Sequence, residues 1–190
     1  MDDNLEKINK EILDCQKCLL YKTRTNPVSG EGDPHTKIMF IGEAPGNNED
    51  KEGRPFCGAA GKILDKLLES TGIKREEIFI ANILKCRPPE NRNPLKEEID
   101  ACGSFLDKQI EIIKPKILCT LGNFSTSYIL EKYGLKDQIQ GISKIHGKVF
   151  EIKILSDIMK IVPFYHPAVA TYNMNMIGTL KSDFQLLKNL

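Results

Sequence analysis

Cys15 and Cys18 form a Cys-x-x-Cys step that one metal centre can span, and Cys86 and Cys102 add two thiols from the middle of the chain. Zinc ribbons and knuckles usually bring two close pairs, whereas here fifteen residues separate the second pair. A four-thiolate iron–sulfur cluster tolerates such scattered ligands, and a zinc site made of the same four thiolates stays as the alternative. Cys86 lies four residues after Asn82, so a cluster on all four would staple the N-terminus to the floor of a pocket. Three further groups could work in that pocket. Gly42-Glu43-Ala44-Pro45-Gly46 is a turn with free backbone N–H groups suited to a carbonyl or an anion, and Glu43 adds a carboxylate. Asn82 stands in an apolar run, where its amide is either a structural partner or a reader of a base edge that shows N–H beside C=O. His166 precedes Pro167, which holds it extended at a strand end.

Phe56, in a loop bounded by Gly and Pro, reads equally as core or as a platform for a stacked ring. Small residues at 58–61 suit a close backbone approach at a helix start. Cys119 reads as core, and Cys57 as packing. His35 and His146 read as surface residues, with a backbone-phosphate contact as the other use of His146. Lys85, Arg87 and Arg92 make one basic cluster and Lys144, Lys148 and Lys153 another, each most simply a solvated face.

The elements that must position these groups alternate strand, loop and helix. Leu5, Ile8 and Ile12 share one face of a first helix. Residues 37–41, 78–84, 116–121 and 161–165 read as strands, and residues 147–155 as a strand or hairpin. Residues 42–58 and 87–94 read as Gly- and Pro-rich loops. Helices are expected over residues 59–70, from Asn93-Pro94 to Pro115 with Cys102 on the apolar side, over 123–132, and at the C-terminal end around Ile177, Leu180, Phe184 and Leu187. This alternation predicts an α/β fold with a parallel sheet covered on both faces. Ligands bind such sheets outside the carboxyl ends of the strands, which is where Gly42, Asn82 and His166 fall.

The 190 residues are expected to form one domain, residues 1–190, with an N-terminal cluster-binding helix and loop. A net charge of +1 argues against a protein that coats long nucleic acid but leaves room for a local basic patch. No apolar run approaches a membrane span, and the polar start Met1-Asp2-Asp3-Asn4 does not read as a signal or transit peptide. A cytoplasmic location is expected, where cysteines serve metals or catalysis more than disulfides.

Taken together and in this order, Cys15-x-x-Cys18, Gly42-Glu43-Ala44-Pro45-Gly46, Gly53-Arg54-Pro55-Phe56, Asn82 with Cys86-Arg87-Pro88-Pro89, Cys102 and His166-Pro167-Ala168 resemble the family-4 uracil-DNA glycosylases, the iron–sulfur branch of the uracil glycosylase superfamily. The resemblance covers nearly the whole chain. It implies a three-layer α/β/α sandwich with a central four-stranded parallel sheet, and a structural 4Fe–4S cluster on Cys15, Cys18, Cys86 and Cys102. It implies a DNA-repair hydrolase that cuts the N-glycosidic bond of uracil and leaves an abasic site. The uracil pocket would be Gly42, Glu43, Ala44, Phe56, Asn82 and His166, with Glu43 and His166 catalytic. Its partner would be uracil-containing DNA, with a replication clamp as a further partner; a monomer is expected, nucleoid-associated in a prokaryote. Ala44 stands where other branches place an aspartate, which leaves the water-activating group open. Glu49 and Asp50 are candidates for shaping the pocket, and Val169, Ala170 and Tyr172 for a wedge into the duplex. Two other readings stand beside this one: a protein that traps uracil-DNA through a histidine in the His146 loop, and a redox-sensing iron–sulfur regulator.

Overall fold

The computed structural model describes residues 3–155 and 157–190; Met1 and Asp2, half of the polar start read above, lie outside them. Helix α1 is Asp3–Leu13, and a two-residue strand β1 is Glu31–Gly32. Strand β2 (Ile38–Gly42) leads into helices α2 (Asn47–Glu52) and α3 (Ala59–Thr71), then into strand β3 (Phe79–Asn82). Helix α4 (Lys96–Ile113), strand β4 (Ile117–Leu121), and helices α5 (Asn123–Lys132) and α6 (Ile142–Ile145) follow. Strands β5 (Phe150–Ile154) and β6 (Asp157–Phe164) form a hairpin, and helices α7 (Val169–Tyr172) and α8 (Met176–Phe184) complete the order.

The strands run β1-β3-β2-β4-β6-β5 in one sheet. The inner four, β3, β2, β4 and β6, are parallel, and β1 and β5 pair antiparallel at the two edges. The expected four-stranded parallel sheet is thus the centre of a mixed six-stranded one. The inner strands are apolar at nearly every position because both faces are covered. Phe40, Ile80, Cys119 and Val162 pack under α3 and α8, while Met39, Ala81, Leu118 and Ile161 pack under α1, α4 and α5. The result is three layers. A third, smaller core joins Ile8 and Ile12 of α1 to Leu84, Cys86, Cys102 and Phe105. It fastens the N-terminal helix to α4 and to the loop leaving β3.

Three sequence expectations shift. Residues 42–58 contain α2, six mostly polar residues too short to show an apolar stripe. The last strand begins at Asp157, four residues early, because its first half pairs with β5 at an edge and need not be apolar. Helix α4 begins at Lys96, not beside Pro94, and Leu95 caps it, its N–H bonding Glu98 Oε2 at 2.9 Å.

Candidate active site

In the parallel register Gly42 lies opposite Asn82, and Leu121 opposite Phe164, so the carboxyl ends of the inner strands share one rim. Past the strands the chains stay zipped: Ile83 N–H bonds Gly42 O at 3.1 Å and Leu84 N–H bonds Glu43 O at 3.0 Å. That pairing sets the Glu43 turn beside the Asn82 loop. A cavity of about 350 Å³ opens there, lined by Glu43, Ala44, Phe56, Asn82 and His166 among others.

Asn82 is 2% exposed, and its Oδ1 has no hydrogen-bond partner among the described residues. Buried polar atoms are nearly always satisfied, so an orphan on a side chain that lines a cavity calls for a ligand donor. Gly42 does not line the cavity. It is needed because a Cβ there would overlap Asn82 Oδ1 and lie 2.9 Å from the Phe56 ring. Phe56 is both core and cavity wall, is 6% exposed, and stacks on His166 with ring centroids 5.5 Å apart. Its backbone sits at φ 48°, a left-handed conformation that costs a non-glycine residue about 1–3 kcal/mol.

Burial pushes the His166 pKa down to about 4, against an opposing pull from Glu49. The ring is therefore neutral at physiological pH. Its Nδ1 accepts the Ala168 N–H at 3.2 Å, which leaves the proton on Nε2 as a donor. Burial raises the pKa of Glu43 and makes its carboxylate a stronger base.

Other candidates sort by geometry. Glu49 lines the cavity and accepts the Gly58 N–H at 2.9 Å. Asp50 does not line it; both carboxylate oxygens take the Thr25 N–H, at 2.9 and 3.1 Å. Ala170 is 1% exposed and packs in the core with the partly buried Val169 against it, while Tyr172 stands out at 78% exposure and Met174 at 70%. His146 does not line the cavity: its Nδ1 is 2.7 Å from Asp183 Oδ2, which leaves the histidine trap no histidine at the pocket from that loop. His35 is exposed and Cys119 is core. Cys57 Sγ is 3.8 Å from Glu49 Oε1. Lys144, Lys148 and Lys153 are exposed, as a solvated face requires.

The basic loop cluster is corrected. Lys85 is 1% exposed and turned inward, with Nζ donating to Asn82 O at 2.8 Å and to Gln109 Oε1 at 2.7 Å. Burial lowers its pKa to about 8, with the nearby Cys102 acting the other way. Its place in Ile83-Leu84-Lys85-Cys86, between buried neighbours, was the signal that it is no surface lysine. Arg92 lines the cavity paired to Glu98 at 2.5 Å, and Asn91 joins it there, a contact that no spacing in the sequence announces.

The four cysteines Cys15, Cys18, Cys86 and Cys102 line a second cavity together. Among the described residues no three His, Cys, Asp or Glu side chains are close enough for one metal ion. A zinc site needs its sulfurs about 3.8 Å apart, as tetrahedral ligands at about 2.3 Å require. Four thiols around one cavity are a donor set that a four-thiolate iron–sulfur cluster uses. Arg24 Nη1 and the Lys85 N–H each donate to a thiol, Cys86 and Cys102 respectively, at 3.2 Å. Such donors favour the thiolate form, against the burial that pushes Cys102 up to about 12. Ala44 lines the first cavity and packs on the core that holds Cys86 and Cys102.

Known proteins are similar to this chain over most of its length. The model of the uracil DNA glycosylase superfamily matches residues 29–187. A type-4 uracil-DNA glycosylase of Sulfurisphaera tokodaii is 50% identical over 189 residues, covering 99% of this chain and 85% of its own. One from Archaeoglobus fulgidus is 42% identical, covering 99% and 94%, and one from Thermotoga maritima is 42% identical, covering 90% and 85%. The cavity at the strand ends, with its unpaired asparagine oxygen and neutral histidine, therefore lies in a chain that belongs to the uracil-DNA glycosylase superfamily and, within it, to the type-4 uracil-DNA glycosylases.

Proposed function

We propose that the cavity at the strand ends is the uracil pocket of this glycosylase, and that residues 1–190 act as one domain around it. The protein removes uracil from DNA by hydrolysing the N-glycosidic bond, the activity that its membership of the type-4 enzymes carries. The observation that supports the pocket most strongly is the buried, unpartnered Asn82 Oδ1. A base inside a duplex is out of reach, so uracil must be flipped into the cavity. Asn82 Oδ1 then accepts the ring N3–H, and its amide NH2 donates to the adjacent carbonyl. Cytosine shows no N–H at N3 and leaves this buried acceptor orphaned, a mismatch that costs about 10⁴-fold in sites built on such bonds. Phe56 supplies an apolar wall for the ring.

As the N1–C1′ bond breaks, its electron pair moves onto uracil and the sugar becomes cationic. His166 Nε2–H donates to the developing oxyanion, and one such preorganised donor contributes about 3–4 kcal/mol to lowering the barrier. Glu43, its basicity raised by burial, holds the water that attacks C1′ and takes its proton; this assigns to Glu43 the task that Ala44 cannot perform. Cys15, Cys18, Cys86 and Cys102 would hold a 4Fe–4S cluster, which supplies a structural cross-link. The protein would work as a monomer in the cytoplasm or at a nucleoid, with a replication clamp as a further partner; among the described residues no helix is long and apolar enough to cross a membrane. The direct test is incubation with an oligonucleotide carrying one uracil, then alkaline cleavage of abasic sites. Cleavage at uracil and not at cytosine is expected; no cleavage, or equal cleavage at both, would refute the assignment.

A further inference from the structure

We infer that Lys85 is a positioning residue for base recognition: its ammonium holds the main chain of Asn82, and its backbone ties that hold to the cysteine-bearing helix. The inference deepens the reading of Asn82 as the uracil reader and rests on it. Lys85 is the one fully buried lysine among the described residues, at 1% exposure. Both hydrogen-bond acceptors of its ammonium are neutral amide oxygens, Asn82 O at 2.8 Å and Gln109 Oε1 at 2.7 Å. A charge is expensive to bury even with the Cys102 sulfur nearby, so its presence asks for a task.

The geometry supplies one. Strand β1 pairs only with Phe79 and Ile80 and stops short of Asn82. Where it stops, the Asn82 carbonyl bonds to the Lys85 ammonium, and Gln109 passes the connection on by donating from Nε2 to Ser29 O at 2.6 Å. Side chains thus stand in for the missing rung between the end of β3 and the segment before β1. The backbone of the same lysine makes two more bonds. Its N–H donates to Cys102 Sγ at 3.2 Å, and its C=O accepts the Val28 N–H at 2.7 Å. Lys85 therefore meets the strand end that carries Asn82, helix α4 through two of its side chains, and the segment before β1. Asn82 Oδ1 has no hydrogen-bond partner among the described residues, so its placement depends on the backbone that carries it. A misplacement near 1 Å in a reacting site can cost about 10²-fold in rate.

The test uses full-length protein with its cluster. Lys85→Met keeps the length of the side chain and removes the donors. Its single-turnover excision of uracil should fall about 10- to 100-fold, as expected for a misplaced recognition group. Its affinity for DNA already carrying an abasic site, and its iron content, should match the wild type, because neither depends on reading a base. Wild-type excision by Lys85→Met would overturn the inference, as would a loss of excision matched by equal loss of iron or of abasic-site affinity. If that variant does not fold, Gln109 decides. Gln109→Leu removes both the acceptor for Lys85 and the donor to Ser29 O, and should slow excision about 10- to 100-fold at unchanged iron content and abasic-site affinity; excision at the wild-type rate would overturn the inference. Asn82→Ala runs alongside. Normal excision by Asn82→Ala refutes the pocket reading itself, whereas a slow Asn82→Ala beside a normal Lys85→Met refutes only the role of Lys85.

Discussion

His166 combines two properties that pull on pH in one direction. Its ring is held neutral by burial, with a folded pKa of about 4 against an ordinary value near 6.5. A group whose folded pKa is depressed in this way binds its proton in the unfolded chain first. Between pH 6.5 and 4 the unfolded state therefore takes up more protons than the folded one, and stability falls as pH falls. The full shift corresponds to about 3 kcal/mol at most, with partial exposure of the ring reducing it. Urea denaturation from about pH 7 to 4 should show a loss of stability that is shallower in His166→Ala. At neutral pH the same variant should lose about 10²- to 10³-fold in excision rate, as for removal of one oxyanion donor; equal pH slopes in the two proteins would show that the ring is not buried neutral. Legibility was uneven among residues. Glu43, Asn82 and His166 stood out because each is a polar group at the end of an apolar run. Lys85 did not, because a lysine next to Arg87 reads as surface until the burial of its neighbours is known.

Among the elements, the turn after β2 is constrained by its first residue. Gly42→Ala would drive a Cβ into Asn82 Oδ1 and the Phe56 ring, both buried. Overpacking of this kind costs about 1–3 kcal/mol. Thermal denaturation should register that loss, and excision should fall further than stability because both clashing groups wall the uracil pocket. The end of α7 and the loop to α8 present Tyr172 and Met174 to solvent, shortly after His166 in the chain. Their large exposed side chains suit insertion into the gap left by a flipped base, a step that double-stranded DNA needs and single-stranded DNA does not. Tyr172→Ala with Met174→Ala should slow excision from duplex several-fold more than from single strands; an equal effect on both would refute a wedge there. The central strands and long helices were readable from apolar periodicity. Helix α2 and strand β1 were not, being too short for any period to show. Val169 and Ala170 are apolar in sequence because they serve the core under α3.

For the molecule as a whole, the four cysteines connect α1, the loop after β3 and α4, and the small core around them includes Ala44 from the uracil-pocket turn. Removing the cluster should therefore loosen the loop over residues 85–94 before the central sheet. Hydrogen exchange on protein treated with a chelator and oxidant should show early exchange there and in α1, with β2 and β4 still protected. Uniform exchange across the chain would make the cluster a requirement of the whole fold instead of a local clamp. The fold class was accessible from strand–helix alternation, and the convergence of the site from the rule that ligands meet parallel sheets at their carboxyl ends. The link between the two cavities was not accessible, because it runs through a buried lysine and an alanine that carry no chemical signature.

Asn82 is the residue on which recognition of uracil depends most directly. Single-turnover excision of one uracil from an oligonucleotide should be measured for the wild type and for Asn82→Ala, with both confirmed to hold the same iron. A rate lowered by about 10²-fold or more in Asn82→Ala, at unchanged affinity for abasic-site DNA, is the predicted result. Excision at the wild-type rate would contradict it, and would mean that the unpartnered oxygen at the floor of the cavity does not read the base.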